Sequence, residues 1–239
     1  MRALAQSELL ALWETGRALH PLDRGLLALN AVDPSRHGDA ADWPVGQRNR
    51  ALAQLRTACF GPALRGWTEC AQCREQLEFE WDARGVNENA SCECGEPILL
   101  RGRAFRLPTS RDLAQVATEP DPRTAAIRLM EQCSLDPRTG AEQQTSSEWT
   151  EADIDALGEQ MALADPLAEV ALHFDCPACG TSFDERLDLA AFLWAEIEGQ
   201  AKRLLLEVHT LASAYGWSEA EIVSLAPARR GFYLAMVHA

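Results

Sequence analysis

The chain has 239 residues, of which 36 are acidic and 22 are basic, and its formal net charge is −14. This length allows one large domain or two ordinary ones. The acidic balance opposes nucleic-acid binding, because a phosphate backbone repels such a surface. No window reaches the roughly 18 apolar residues that a membrane span requires, and the first residues do not resemble a signal peptide. We therefore expect a cytoplasmic protein with no membrane contact, in which cysteine thiols stay reduced.

Apolar residues at helical spacing predict three helices in the first quarter of the chain, over residues 7–13, 22–32 and 44–59. Pro44 suits the first turn of the third helix, and Gly61-Pro62 ends it. The intervening residues 33–42 contain proline, glycine and three aspartates, which is typical of a loop.

A cysteine-rich stretch follows these helices. It reads Cys70-Ala-Gln-Cys73, then eighteen residues, then Cys92-Glu-Cys94. Two close pairs of thiolates are what a tetrahedral structural zinc requires, and the span between them is long enough for one hairpin. Residues 76–82 alternate polar and apolar, which predicts a half-buried strand, and residues 98–100 and 104–107 read as the returning strands. The sequence thus predicts a closed zinc site in a zinc-ribbon-like β module.

A second cysteine pair occurs at Cys176-Pro-Ala-Cys179, between two predicted short strands at residues 169–175 and 181–187. This pair needs two more ligands to hold a metal, and Cys133 is the best additional candidate. Three alternatives remain open: a tight turn whose thiols fill the core, a second metal site, or a zinc hydrolase site with an open coordination position. A thioredoxin-like role is disfavoured because the pair lies between strands and does not open a helix.

The rest of the chain is predominantly helical. A polar segment at residues 134–147 is the best linker candidate. The longest predicted helix covers residues 189–215 with one continuous apolar stripe, and Gly216 ends it. The predicted fold is α+β and mostly helical, with zinc-ribbon-like β modules, a long C-terminal helix and a terminal helical corner. The predicted regions are 1–66 (helical), 67–108 (β module), 109–148 (helices and linker) and 149–239 (helix, cysteine hairpin and C-terminal helices).

No catalytic motif is present: the sequence lacks Gly-x-Ser-x-Gly, His-Glu-x-x-His, a phosphate loop and a dinucleotide fingerprint. We therefore expect a protein that is not an enzyme. The aromatic C-terminal run permits two interpretations. One is a helix-turn-helix with Arg229 and Arg230 near phosphate; the other is a compact helical corner that docks on a partner. Two arginines are too few for useful affinity to nucleic acid, so the corner is the preferred interpretation.

The C-terminal pattern resembles the baseplate proteins of contractile phage tails. The residues that carry this resemblance are Phe192-Leu193-Trp194-Ala-Glu196, Tyr215-Gly216-Trp217-Ser218-Glu219, Arg229-Arg230 and Tyr233-Leu234, together with Asp175-Cys-Pro-Ala-Cys-Gly180. They are similar to baseplate hub proteins of T-even phages and of phage-tail-like injection systems.

The resemblance implies a non-enzymatic role in building a baseplate, with hub or spike proteins as partners and a place in a phage tail or injection particle. Large aromatic and arginine side chains concentrate binding energy, so we expect the partner-binding residues to be Tyr215, Trp217, Arg229, Arg230, Phe232 and Tyr233. The alternative is a zinc-ribbon and helix-turn-helix regulator that binds nucleic acid.

Overall fold

The structure is a computed structural model that describes residues 1–32, 39–85, 96–135 and 149–237. These residues form nine α-helices and six β-strands. The helices are α1 Gln6–Gly16, α2 Pro21–Val32, α3 Val45–Phe60, α4 Ser110–Val116, α5 Pro122–Cys133, α6 Glu151–Ala164, α7 Leu189–Tyr215, α8 Glu219–Ser224 and α9 Pro227–Val237. The strands are β1 Ala63–Glu69, β2 Gln76–Asp82, β3 Ile98–Leu100, β4 Arg103–Phe105, β5 Ala171–Asp175 and β6 Ser182–Arg186.

The strands form three antiparallel pairs: β1 with β2, β3 with β4, and β5 with β6. The sequence correctly predicts strand β2 and both strands around the second cysteine pair. It is wrong about the partner of β2, because β3 pairs with β4 and β2 pairs with β1. Strand β1 was missed because its sequence, Ala-Leu-Arg-Gly-Trp-Thr-Glu, contains a glycine and has little alternation.

The chain divides into two compact units. The first, here called the hairpin unit, is Ser35–Leu189 together with Met1, and the second, the helical unit, is Arg2–Pro34 with Ala190–Ala239. This division differs from the four regions predicted from the sequence, because α1 and α2 belong with the C-terminal helices while α3 belongs with the strands. Local periodicity identifies helices but does not say which distant segment buries their apolar faces. The predicted linker lies almost entirely outside the described residues.

The hairpin unit has its own hydrophobic core. The core side chains come from β4, α5, α6 and the residue that precedes the cap of α6, and they are Phe105, Ile127, Met130, Cys133, Trp149 and Leu157. Burial in this apolar setting raises the pKa of Cys133 to about 11, so its thiol stays protonated. Cys133 is therefore a core residue and not the additional metal ligand that the sequence predicted, because it lies outside the described cluster of cysteines.

A buried carboxylate fixes the start of α3. Asp165 is buried and accepts a hydrogen bond from the backbone N–H of Gly46 at 2.8 Å. A carboxylate at this position complements the positive end of the helix dipole. A Cβ atom on Gly46 would lie 1.7 Å from Oδ1 of Asp165, so only glycine fits.

In the helical unit, α1 and α7 pack through Leu10, Ala201 and Leu204. The predicted apolar stripe of α7 is confirmed, since Leu193 and Ile197 are also buried. These contacts explain why helices from the two ends of the chain form one unit. The mostly helical α+β fold with a long C-terminal helix is thus confirmed. Among the described residues, no helix combines the length and apolarity that a membrane crossing requires.

Candidate metal centre and C-terminal surface

Two hairpins of the hairpin unit end in equivalent turns. Six residues join β1 to β2, and six join β5 to β6. In the first turn the backbone N–H of Arg74 donates to the carbonyl of Cys70, and in the second that of Gly180 donates to the carbonyl of Cys176. Arg74 and Gly180 both have left-handed backbones, with φ of 64° and 74°. The two turns are therefore the same structure, here called knuckles.

The two knuckles meet through their cysteines. The Sγ atoms of Cys70 and Cys179 lie 3.7 Å apart, and those of Cys73 and Cys176 lie 3.6 Å apart. All four sulfur atoms lie within 4.8 Å of one another. In each knuckle the first cysteine is buried and the second is exposed, and each close pair joins a buried sulfur to an exposed one of the other hairpin. Four free thiols in this arrangement could hold one metal ion.

This arrangement corrects how the ligands were grouped from the sequence. The sequence groups Cys70 and Cys73 with Cys92 and Cys94 in a closed site and leaves the second pair incomplete. The structure completes each pair with the other, although they are separated by more than 100 residues. Cys92 and Cys94 lie outside the described residues. Spacing alone favoured the nearer pair because it cannot detect that two distant hairpins end side by side.

The pKa values of the two exposed thiols are shifted in opposite directions. Hydrogen bonding with the side chain and the backbone of Thr181 lowers the pKa of Cys179 to about 6. The backbone N–H of Glu75 favours the thiolate of Cys73, but lost hydration and the neighbouring thiols outweigh it and raise its pKa to about 12. Four adjacent thiolates repel one another unless a cation lies between them.

A polar contact and an aromatic contact also join the two hairpins. The hydroxyl of Thr181 donates a hydrogen bond to Oε1 of Gln72, which connects one knuckle to the other. Further along the strands, the ring of Phe79 meets that of Phe174 edge to face at 5.6 Å, and Phe174 stacks on Phe183 at 5.6 Å. All three rings are only half-buried. The hairpins therefore share a thin apolar contact, and the sulfur cluster is the stronger candidate for joining them.

At the other end of the chain, three predicted partner-binding residues form a ring cluster. Tyr215 stacks on Trp217 with ring centroids 4.7 Å apart, and the ring of Tyr233 meets that of Trp217 edge to face at 4.8 Å. The cluster holds α9 against the end of α7. A fourth predicted residue, Phe232, lies outside the cluster with 70% of its surface exposed.

The two predicted arginines have opposite environments. Arg230 is only 2% exposed. Its guanidinium donates to Glu207 at 2.5 Å, to Gln6 at 2.7 Å and to the carbonyl of Leu225 at 3.2 Å. Arg230 thus fastens α9 to the helical unit and is not a surface residue, which corrects its predicted role. The adjacent Arg229 is exposed and has no ion-pair partner among the described residues.

The sequence could not separate these two arginines, because they are neighbours on one helix and differ only in the direction of their side chains. It also missed Gln6 and Glu207 as partners of Arg230. Comparisons of the chain with known protein families, with curated proteins and with solved structures found no match.

Proposed function

We propose that the chain is a non-enzymatic assembly protein of a contractile tail baseplate, in which one structural zinc ion joins two hairpins and the C-terminal helices bind a hub or spike protein. The observation that supports this proposal most strongly is the cluster of Cys70, Cys73, Cys176 and Cys179 at the tips of two hairpins. The baseplate assignment depends on the sequence resemblance, and the protein would reside in the cytoplasm until it enters a particle.

The sulfur geometry fits a tetrahedral zinc ion. A Zn–S bond of about 2.3 Å implies an S···S edge of roughly 3.8 Å in a regular tetrahedron. Two of the six S···S distances, 3.6 Å and 3.7 Å, are close to that edge, and the other four are within 4.8 Å. Zinc would also supply the positive charge that four crowded thiolates need. The zinc-ribbon-like interpretation of the β module therefore applies to the two hairpins together.

A site with four protein ligands favours a structural role over a catalytic one. Catalytic zinc keeps one position open for water or substrate, whereas four cysteines fill a tetrahedron. The predicted zinc hydrolase would need such an open position at Cys176 and Cys179. A structural role requires only that metal binding contributes to the free energy of folding. Small hairpins whose rings are half-buried need such a contribution, because they bury little apolar surface.

The alternative function, a nucleic-acid-binding regulator, loses one of its two key residues. Arg230 is occupied by Glu207 and Gln6, so only Arg229 of the pair could reach a phosphate. One contact gives little affinity to a protein with a net charge of −14.

The direct test is purification of the tagged protein with the hub and spike subunits encoded beside it, under native conditions. We expect at least one of them to copurify at a fixed ratio. Absence of any tail protein would exclude the baseplate role. A mobility shift with DNA at low salt that is lost in Arg229→Ala would favour the regulator instead.

A further inference from the structure

Helix α9 has one face fastened to its own unit and one face exposed. The fastened face carries Arg230, which donates to Glu207, and Tyr233, whose ring contacts that of Trp217. The exposed face is unusual in composition. Phe232 and Met236, one helical turn apart, are 70% and 63% exposed.

Three small residues around these two side chains, two alanines and one glycine, are also exposed. They are Ala228, Gly231 and Ala235. With Phe232 and Met236 they recur at three- and four-residue spacing, which places them on one side of the helix. We call these five residues the outer stripe. A solvent-facing helix surface normally carries charged residues, and within α9 only Arg229 does so on this side.

The shape of the outer stripe suits a second helix. Small residues allow the backbone of a neighbouring helix to come close, and the large side chains of Phe232 and Met236 can enter the grooves of that helix. An aromatic side chain buries about 150–250 Å² when covered, so Phe232 alone offers a substantial apolar contact. Such side chains carry much of the binding energy at interfaces.

The charge of α9 indicates which kind of partner helix would bind to the outer stripe. Helix α9 contains two arginines and no acidic residue, although the chain as a whole has a net charge of −14. Arg229 borders the outer stripe and has no ion-pair partner among the described residues. Covering an unpaired guanidinium is unfavourable, so a suitable partner must bring a carboxylate to it. A second copy's α9 would bring no carboxylate, and two chains of −14 repel each other.

We propose that the outer stripe of α9 binds an amphipathic helix of another protein, whose apolar side is bordered by a glutamate or aspartate that pairs with Arg229. This proposal builds on the proposed function, since it assigns the contact surface for the hub or spike partner. It also changes the set of partner-binding residues: Phe232 and Arg229 remain and Met236 is added. The cluster of Tyr215, Trp217 and Tyr233 packs on the opposite face of α9 and holds the helix in place.

The test uses two synthetic helical peptides with the same leucine and alanine stripe, one bordered by glutamates and the other by lysines. Their binding to the full chain is measured by fluorescence anisotropy at low and at physiological salt. We expect the glutamate peptide to bind at least tenfold more tightly. Arg229→Glu should reverse this preference, because the sign of the charge beside the stripe changes.

Phe232→Ser and Met236→Ser should each weaken the glutamate peptide at least tenfold, and both variants should fold normally because these side chains are mostly exposed. Leu206→Ser is the matched control. Leu206 is a large apolar residue that is 65% exposed on α7, and its replacement should leave peptide binding unchanged.

Three results would overturn the proposal: equal binding of both peptides, no binding of either peptide, or an equal effect of Leu206→Ser. Sedimentation gives a further criterion. If the wild type is a dimer and Phe232→Ser makes it a monomer, a second copy covers the stripe and the proposal is wrong.

The copurification experiment separates this proposal from the proposed function. If tail proteins bind the Phe232→Ser variant as well as the wild type, the surface is wrong and the baseplate role stands. If the peptides discriminate as expected but no tail protein copurifies, the surface stands and the baseplate role is wrong.

Discussion

Replacing Cys176 by serine tests which cysteines share the metal. The structure places Cys176 in a cluster with Cys70, Cys73 and Cys179, so loss of its thiolate leaves three ligands. We expect the purified wild type to contain one zinc per chain and Cys176→Ser to contain none after dialysis against a mild chelator. The same substitution should separate the two hairpins.

The size of the effect follows from what else joins the hairpins. Structural zinc in small domains contributes about 10–16 kcal/mol of apparent binding free energy. The edge-to-face contact of Phe79 with Phe174 contributes about 0.5–1.5 kcal/mol beyond its area, and an isolated two-stranded hairpin is marginal in water. The metal is thus worth several times the remaining contacts, and its loss should release the β5–β6 hairpin.

Metal content by elemental analysis and amide hydrogen exchange over β5 and β6 are the measurements. We expect protection of these strands to be lost in Cys176→Ser and retained in α7, which packs in the helical unit. Treatment of the wild type with a strong chelator should give the same exchange pattern.

Two control variants make the result specific. Cys59→Ser alters a half-buried thiol outside the cluster and should keep the zinc. Cys92→Ser should also keep it, because four ligands already complete a tetrahedron. The reasoning is refuted if Cys176→Ser retains one zinc per chain while Cys92→Ser loses it, since the ligands would then be grouped as their spacing suggests.

Three further predictions concern stability, each measured by denaturant unfolding. Arg74 and Gly180 both have left-handed backbones, which glycine adopts without strain. Arg74→Gly should therefore stabilise the hairpin unit by about 0.5–1 kcal/mol, and Gly180→Ala should destabilise it by about 1 kcal/mol. A change of the same sign in both variants would contradict this. Arg230→Ala should cost about 3 kcal/mol by removing three hydrogen bonds, whereas Arg229→Ala should change stability by less than about 0.5 kcal/mol, and equal effects would refute the distinction. Gly46→Ala should cost about 3 kcal/mol, since its Cβ would overlap a buried carboxylate, and an unchanged midpoint would be inconsistent with that contact.

The sequence by itself determined the local elements. Helical periodicity predicts the 27-residue helix α7 with its bounds. The capping boxes of Thr150 with Asp153 and of Ser218 with Glu221, which start α6 and α8, are equally local. These features depend on residues that are close in the chain, so their physical cause can be read from a short window. The tight turn at each cysteine pair is local in the same way.

Only the tertiary structure decided which distant segments meet. It placed the thiol of Cys70 beside that of Cys179, 109 residues away, and the guanidinium of Arg230 beside Gln6, 224 residues away. It also placed Arg230 inside and Arg229 outside, although the two are adjacent. Such pairings depend on how the units bury their apolar surfaces, which no local pattern encodes, because burial is a property of the whole folded chain.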